Sequence, residues 1–304
     1  MTRISTYAAN QSALMDLMRA QKQMFDAQQQ LTTGKMATDL KGVGYQAESL
    51  SASRAAQERA KSYEEAAVRT EARLEAQNIA LEQISEAVSD LRMAVTSKEG
   101  DYIMHQARQA FYEVTNSLNM KHAGSYLFGG TRSDAPPITI SDLSDLIPMG
   151  TAAEAFENND RKPVVQLDQN YTVEVGMLAE DVGGEVMAAF KRIADFNAGA
   201  NGPFQSPLTA AQDAFLTGEI QNVITALDNV FVKVGQNGAK QAEVETLKNN
   251  HADRQDFLAQ MIADIEDVDM AEAATRFQQA QTAVDVSAMT FSTLNQVSLL
   301  PFLR

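Results

Sequence analysis

Residues 60–95 read AKSYEEAAVRTEARLEAQNIALEQISEAVSDLRMAV, and this stretch decides the fold. Ala60, Tyr63, Ala67, Thr70, Leu74, Gln77, Leu81, Ile84, Val88, Leu91 and Val95 follow one another in steps of three and four. That alternation is the seam of a helix laid against another helix. A helix of this span is about 50 Å long at 1.5 Å per residue. Such a rod has no core of its own and must lie along a partner.

The neighbouring sequence supplies partners. Gly100-Asp101 interrupts the rod, and a second helix follows with Ile103, Ala107, Ala110, Val114 and Leu118 on one face. Far along the chain, Val244, Leu247, His251, Arg254, Leu258, Met261, Ile265 and Val268 keep the same spacing. Met270, Ala273, Phe277, Ala280, Val284, Ser287, Phe291 and Leu294 keep it again in a shifted frame, so Asp267-Val268-Asp269 reads as a joint. At the other end, Leu14, Leu17, Met18, Met24, Phe25 and Leu31 form a stripe broad enough to face more than one neighbour. It ends at Thr32-Thr33-Gly34-Lys35, where glycine can close the helix.

Between the helical ends the sequence changes character. Six of the seven prolines lie from Pro136 to Pro207, and proline removes a backbone donor that helices need. Val165 and Leu167, then Tyr171, Val173, Val175 and Met177, alternate about a turn at Asp168-Gln169-Asn170, which predicts a β-hairpin. A helix with Val186, Phe190 and Ile193 inside is expected over about Gly184 to Phe196. The fold class is therefore mostly α with a small mixed, β-containing middle domain. Both ends of the chain form one long antiparallel helical bundle of coiled-coil type. The expected parts are a terminal assembly domain (1–33 with 270–304), a helical rod (34–134 with 209–269) and an outer domain (135–208).

Composition narrows the function. The formal charge is −15, from 40 acidic and 25 basic residues. That argues against nucleic acid and against an anionic membrane surface, since binding either needs clustered Lys and Arg. There is no cysteine, which excludes thiolate and iron–sulfur chemistry. Met1-Thr2-Arg3-Ile4-Ser5-Thr6-Tyr7 has no apolar run of the kind a cleavable signal carries, and no stretch has the roughly 20 apolar residues of a membrane span.

Motifs for catalysis lack their context. Gly42-Val43-Gly44-Tyr45-Gln46-Ala47 fits G-x-G-x-x-A, but no strand run precedes it, so the expected role is a flexible loop opening the long helix. A nucleotide-dependent enzyme resting on Gly42 and Gly44 is the reading this disfavours. His105, His122 and His251 have no partners at metal spacing, and His251 sits in the helical seam. The acids from Asp264 to Asp269 lack the glycine and terminal glutamate of a calcium loop, and are expected to cap the next helix. No enzyme activity, metal or cofactor is expected.

Several stretches resemble the flagellin superfamily, and most of all its hook-filament junction subunits. They run from Arg3-Ile4-Ser5 through Leu31-Thr32-Thr33-Gly34-Lys35. They resume at Asn237-Gly238-Ala239-Lys240, Glu245-Thr246-Leu247-Lys248 and the run from Ile265 to Ala273. They continue through Gln279-Ala280-Gln281-Thr282-Ala283 and close with Leu299-Leu300-Pro301-Phe302-Leu303-Arg304. Gly124-Ser125-Tyr126-Leu127-Phe128-Gly129-Gly130-Thr131, with Pro136 after it, is similar to the junction proteins' boundary between helical and outer domains. Asp39-Leu40-Lys41-Gly42 departs from the paired aspartates often found after the first helix.

The resemblance implies a structural subunit joining hook to filament. It implies export through the flagellar type III channel without a cleaved signal, and an extracellular place on the flagellum. The partners implied are identical subunits in a ring, a neighbouring hook-associated protein, flagellin, and a cytoplasmic export chaperone on the C-terminal helix. Assembly contacts are expected at Leu14, Met18, Phe25, Leu31, Phe277, Val284, Phe291, Leu294, Leu299, Leu300, Phe302 and Leu303. The alternatives are filament flagellin and a flagellin-like surface binding protein with its site in the 135–208 segment. On the first reading the terminal helices become ordered on assembly.

Overall fold

The computed structural model describes residues 2–132 and 134–296. Helix α1 (Thr2–Thr33) is followed by a short turn of helix, α2 (Leu40–Val43), and by the rod α3 (Ala47–Ser97). Then come α4 (Gly100–Leu118), two small hairpins, α5 (Ala179–Ala198), the 57-residue α6 (Ala210–Glu266) and α7 (Met270–Gln296). Contacts within the chain gather into two units. One holds the residues up to Arg59 and those from Arg254 onward; the other runs from Ala60 to Asp253. Helices α3 and α6 supply residues to both.

In the second unit the heptad reading of α3 holds at nearly every position. Ala60, Ala67, Thr70, Leu74, Gln77, Leu81, Ile84, Val88, Leu91 and Val95 are all buried. From Ala80 onward the buried stripe widens to take in Ala87 and Ala94. Here α3 packs into one apolar cluster with residues of α4, α5 and α6. On α4 the buried face holds Ile103, Ala107, Ala110, Val114 and Leu118, with Phe111 set edge-on against Phe190 of α5, centroids 5.5 Å apart. Phe196 of α5 stacks on Phe215 of α6 at 4.0 Å.

Helix α6 runs antiparallel to α3. Asn237 Nδ2 donates to the Leu74 carbonyl at 2.9 Å, and Lys248 pairs with Glu71 at 2.7 Å. At the other end of the pair, Lys98 meets Asp213 at 2.7 Å. Between α3 and α4 the chain turns at Gly100. A Cβ there would stand 2.2 Å from the Gln205 carbonyl oxygen.

The predicted hairpin forms from β3 (Val164–Asp168) and β4 (Tyr171–Glu174), antiparallel, with Val165 opposite Val173. Leu167, Val173 and Val175 are buried against Ala67 and Leu74 of α3 and Val244 of α6. His251 is packed here, its Nε2 2.7 Å from the Leu167 carbonyl oxygen and its ring beside Tyr63. Helix α5 begins at Ala179, earlier than Gly184. Its first turn already carries the apolar period, with Ala179 and Val182 buried in line with Val186, and the carboxylates of Glu180 and Asp181 favour a helix N-terminus.

The Gly124–Thr131 motif has a defined job in this unit. Ala123 and Gly124, both with positive φ, turn β1 (Lys121–His122) back on β2 (Ser125–Tyr126). Leu127 and Phe128 then bury completely. The Leu127 carbonyl accepts from Arg73 at 3.1 Å and from Gln77 at 3.4 Å, and the Phe128 carbonyl accepts from the Ala179 N–H at 2.9 Å. Burial pulls the Arg73 guanidinium below its usual pKa. Gly130 has φ of +69°, and a Cβ would press on the carbonyl oxygens of Asn159 and Arg161.

Glycine-to-alanine changes in this unit should act with opposite signs. Gly218 lies inside α6 with nothing within 4 Å of a built Cβ, so Gly218→Ala should raise stability by about 0.5–1 kcal/mol through helix propensity. Gly100→Ala must displace backbone and should cost about 2 kcal/mol. Urea midpoints of the purified variants give both numbers, and equal midpoints would contradict the packing described at Gly100.

Candidate assembly surface

The first unit is built on α1 and α7, which lie side by side in opposite directions. Along α1 the residues turned inward are Ala13, Leu17, Ala20, Met24, Ala27 and Leu31. Along α7 they are Ala273, Phe277, Ala280, Val284, Ser287, Phe291 and Leu294. Each set keeps steps of four and three, and small residues alternate with large ones. Small side chains let the two backbones approach closely. They also bury little area, so the pair gains modestly from its own contact.

A second apolar stripe runs along the other side of each helix. On α1 it holds Leu14, Met15, Met18 and Phe25, with Met18 61% and Phe25 63% exposed. On α7 it holds Val286 and Met289, exposed by 57% and 70%. At 100° per residue these stripes stand about 150° around each helix from the inward face. Large apolar side chains aligned in this way, unlike scattered ones, make the stripe a candidate surface for meeting another protein.

The twelve expected contact residues therefore divide. Leu14, Met18 and Phe25 lie on the outward stripe. Leu31, Phe277, Val284, Phe291 and Leu294 are half-buried in the face that α1 and α7 turn to each other. Leu299, Leu300, Phe302 and Leu303 lie outside the described residues. Met15, Val286 and Met289 belong with the outward set and were missed. Their signal was a second run in steps of three and four, Met15, Met18, Lys22 and Phe25 on α1 and Thr282, Val286, Met289 and Thr293 on α7.

The register of α1 against α7 is set at their joints. Helix α1 ends at Gly34, whose φ of +69° suits glycine, and α6 ends at Glu266. The two exits pair as a single antiparallel bridge between Lys35 and Asp267. The Met36 N–H donates to the Glu266 carbonyl at 2.6 Å, and the Val268 N–H donates to the Gly34 carbonyl at 3.0 Å. Asp269 caps α7 by accepting from the N–H groups of Ala271 and Glu272. Beneath the joint, Val43 and Leu50 bury against Ile265.

The Glu266 side chain is only 5% exposed and receives Lys35 Nζ at 2.8 Å and a nitrogen of Arg54. Burial pushes its carboxyl up. The hydrogen bond from Lys35 and the charges of Arg54 and Lys35 outweigh that and leave it below the usual carboxylate value.

Two expectations need correction. Arg254 and Met261 are exposed, while Gln255 and Ile262 are half-buried in their place, so the inward frame reads His251, Gln255, Leu258, Ile262 and Ile265. A run of threes and fours can start with either step, and residues 251–265 satisfy both nearly equally. The stretch before the rod is also not a flexible loop. It forms α2 and a following turn of 3-10 helix, with the Asp39 carboxylate accepting the Gly42 N–H at 2.7 Å.

Among the described residues no group of three His, Cys, Asp or Glu is placed to hold a metal ion. None of the described helices is long and apolar enough to cross a membrane.

Residues 218–303 match the family model of the bacterial flagellin C-terminal helical region. No curated protein matches the chain. Among solved structures, one from Vibrio parahaemolyticus assigned as a flagellar hook-associated protein aligns with a TM-score of 0.59 at 15% identity. It covers 73% of this chain and 97% of its own. FlgL of Bacillus cereus aligns with a TM-score of 0.51 at 14% identity, covering 66% of this chain and 98% of its own. At these identities the structures establish a shared fold. The match in sequence is to the flagellin-type C-terminal helical region over residues 218–303.

The Glu266 site sets an acid limit on the first unit. A carboxylate whose pKa is depressed by folding contributes stability above its unfolded value and loses it as pH falls through the folded value. Removing one member of a buried pair costs up to about 3–5 kcal/mol. Lys35 and Arg54 are half-exposed, so Glu266→Gln should cost about 1–2 kcal/mol at pH 7. Thermal melts should show that difference shrinking as the pH approaches 3. A difference that stays constant with pH would remove Glu266 from this role.

Proposed function

We propose that this flagellin-like chain is the subunit that joins the flagellar hook to the filament, built into the flagellum through its N- and C-terminal helices. The observation that carries the proposal is the second apolar stripe on α1 and α7. Leu14, Met15, Met18, Phe25, Val286 and Met289 are exposed in the single subunit, and a ring of copies would cover them. Likeness in fold to hook-associated proteins supports the junction over other places on the flagellum.

On this reading the mechanism is coupled packing. Terminal hairpins of neighbouring subunits bury the outward stripes, and Leu299, Leu300, Phe302 and Leu303 extend the same contact. Segments that gain order on binding pay the entropy cost at that moment, so contact area is spread over a long seam. The parts of the chain become layers: 1–33 with 270–304 innermost, 34–134 with 209–269 around it, and 135–208 outward. The subunit reaches its place through the type III channel and stands outside the cell, flanked by a hook-associated protein and flagellin. Before export, a cytoplasmic chaperone covers the stripe on the C-terminal helix.

Filament flagellin is the second reading, favoured by the match over residues 218–303 to the flagellin C-terminal region. The Gly124–Thr131 boundary motif weighs against it. The two separate in the electron microscope: purified junction subunit should bind only at hook ends, and long homopolymers would establish a filament protein.

Phe25→Ser together with Met18→Ser should leave helix content and melting temperature nearly unchanged, because both side chains are mostly exposed. Immunogold labelling of cells making this variant should lose the signal at the hook–filament boundary. Normal labelling with attached filaments would refute the stripe as the assembly contact.

A further inference from the structure

The chain has 14 methionines and no cysteine, so every sulfur it carries is a thioether. Their placement is uneven. In the first unit Met15, Met18, Met36, Met261, Met270 and Met289 are exposed; in the second, only Met93 is exposed among those described. Met177 and Met187 are buried in the large apolar cluster, and Met104, Met120 and Met149 pack partly against it. Half of the outward stripe of α1 and α7 is methionine: Met15, Met18 and Met289, exposed by 56%, 61% and 70%.

We propose that Met15, Met18 and Met289 are an oxidation site that switches off assembly of the free subunit, the oxidant being a hydroperoxide. The proposal rests on the reading of the outward stripe as the assembly contact. A sulfur lone pair attacks one peroxide oxygen, the S–O bond forms and the O–O bond breaks. The departing alkoxide, or hydroxide when the oxidant is hydrogen peroxide, takes the proton of the newly formed S–OH group and leaves as alcohol or water. The sulfur loses two electrons and the peroxide gains them.

The product matters because of where it stands. A sulfoxide replaces an apolar, adaptable side chain with a polar, chiral one. On the outward stripe of the free subunit water solvates it, so the fold is undisturbed. In an assembled ring the same oxygen would be buried against a neighbour without a donor, which costs as any unpaired buried polar group does. Exposure thus makes the site reactive before assembly and protected after it. Reduction of the sulfoxide restores the original side chain.

The test treats the purified full chain with limiting hydrogen peroxide and maps sulfoxides by peptide mass spectrometry. Met15, Met18 and Met289 should convert at least tenfold faster than Met177 and Met187, with circular dichroism unchanged. Binding of the oxidised protein to isolated hook ends should fall at least tenfold and return after treatment with methionine sulfoxide reductases. A triple variant, Met15→Leu, Met18→Leu and Met289→Leu, keeps the apolar stripe without the sulfur. It should bind hook ends equally well before and after peroxide.

If untreated wild type fails to bind hooks at all, the assembly reading falls. If it binds, but sulfoxides at the three positions leave binding unchanged, the oxidation switch falls alone. Loss of binding by the peroxide-treated triple variant would assign the effect to other methionines and overturn the site.

Discussion

The first unit depends on one contact, the pairing of the chain's exit from α1 with its exit from α6. Two backbone hydrogen bonds, Met36 to Glu266 and Val268 to Gly34, fasten segments more than 200 residues apart. Buried Glu266 then holds Lys35 from one side of that bridge and Arg54 of α3 from another. Once these points are pinned, α1 and α7 must leave the joint together and run antiparallel. Their inward faces can then match in only one register. A slip by one residue would turn a large part of the outward stripe into the seam. The ion pair's value is therefore more in register than in raw stability, since its desolvation cost offsets much of its attraction.

That constraint explains why two helices can afford small residues where they touch. Ala13, Ala20 and Ala27 on α1, with Ala273 and Ala280 on α7, alternate with larger side chains along the shared face. A hairpin relying on this face alone would gain little against the entropy of ordering some sixty residues, at about 1–2 kcal/mol each. The second unit has no such shortage. Its cluster joins Leu81, Ile84, Leu91, Phe111, Phe128 and Phe190, all essentially inaccessible to water. The two units thus differ in how far each satisfies itself: exposed apolar side chains occur on both, but in the first they accompany a thin inward face.

The helical organisation was legible because its signal is local and long. Eleven positions from Ala60 to Val95 set the α3 seam, and chance alternation over that length is rare. The β-hairpin was legible for the same reason, with Leu167, Val173 and Val175 turned to the core in period two. Short stretches failed where two frames fit nearly equally. Arg254 and Met261 stood in for Gln255 and Ile262 because the seam near His251 tolerates a step of three or four. The early start of α5 was hidden by Gly183-Gly184, a pair of poor helix formers, although Ala179 and Val182 keep the buried period of Val186, Phe190 and Ile193.

The outward stripe was harder to read for a deeper reason. A helix with one apolar face announces which residues are inside. Helices α1 and α7 carry two, about 150° apart, so the sequence shows apolar residues without saying which face the subunit spends on itself. Phe277 and Phe25 look equivalent in the chain, yet one is half-buried against the partner helix and the other is left to water. Glu266 was invisible for a related reason. It is one acid among Asp264, Asp267 and Asp269, and only the return of Lys35 and Arg54 to the same point singles it out. What distinguishes such residues is the partner, and a partner 212 or 231 positions away leaves no trace in local spacing. The joint is the exception that makes the rest tractable: the change of frame at Asp267-Val268-Asp269 marks where a pin must be. From that pin the division into spent and unspent faces follows by counting along each helix.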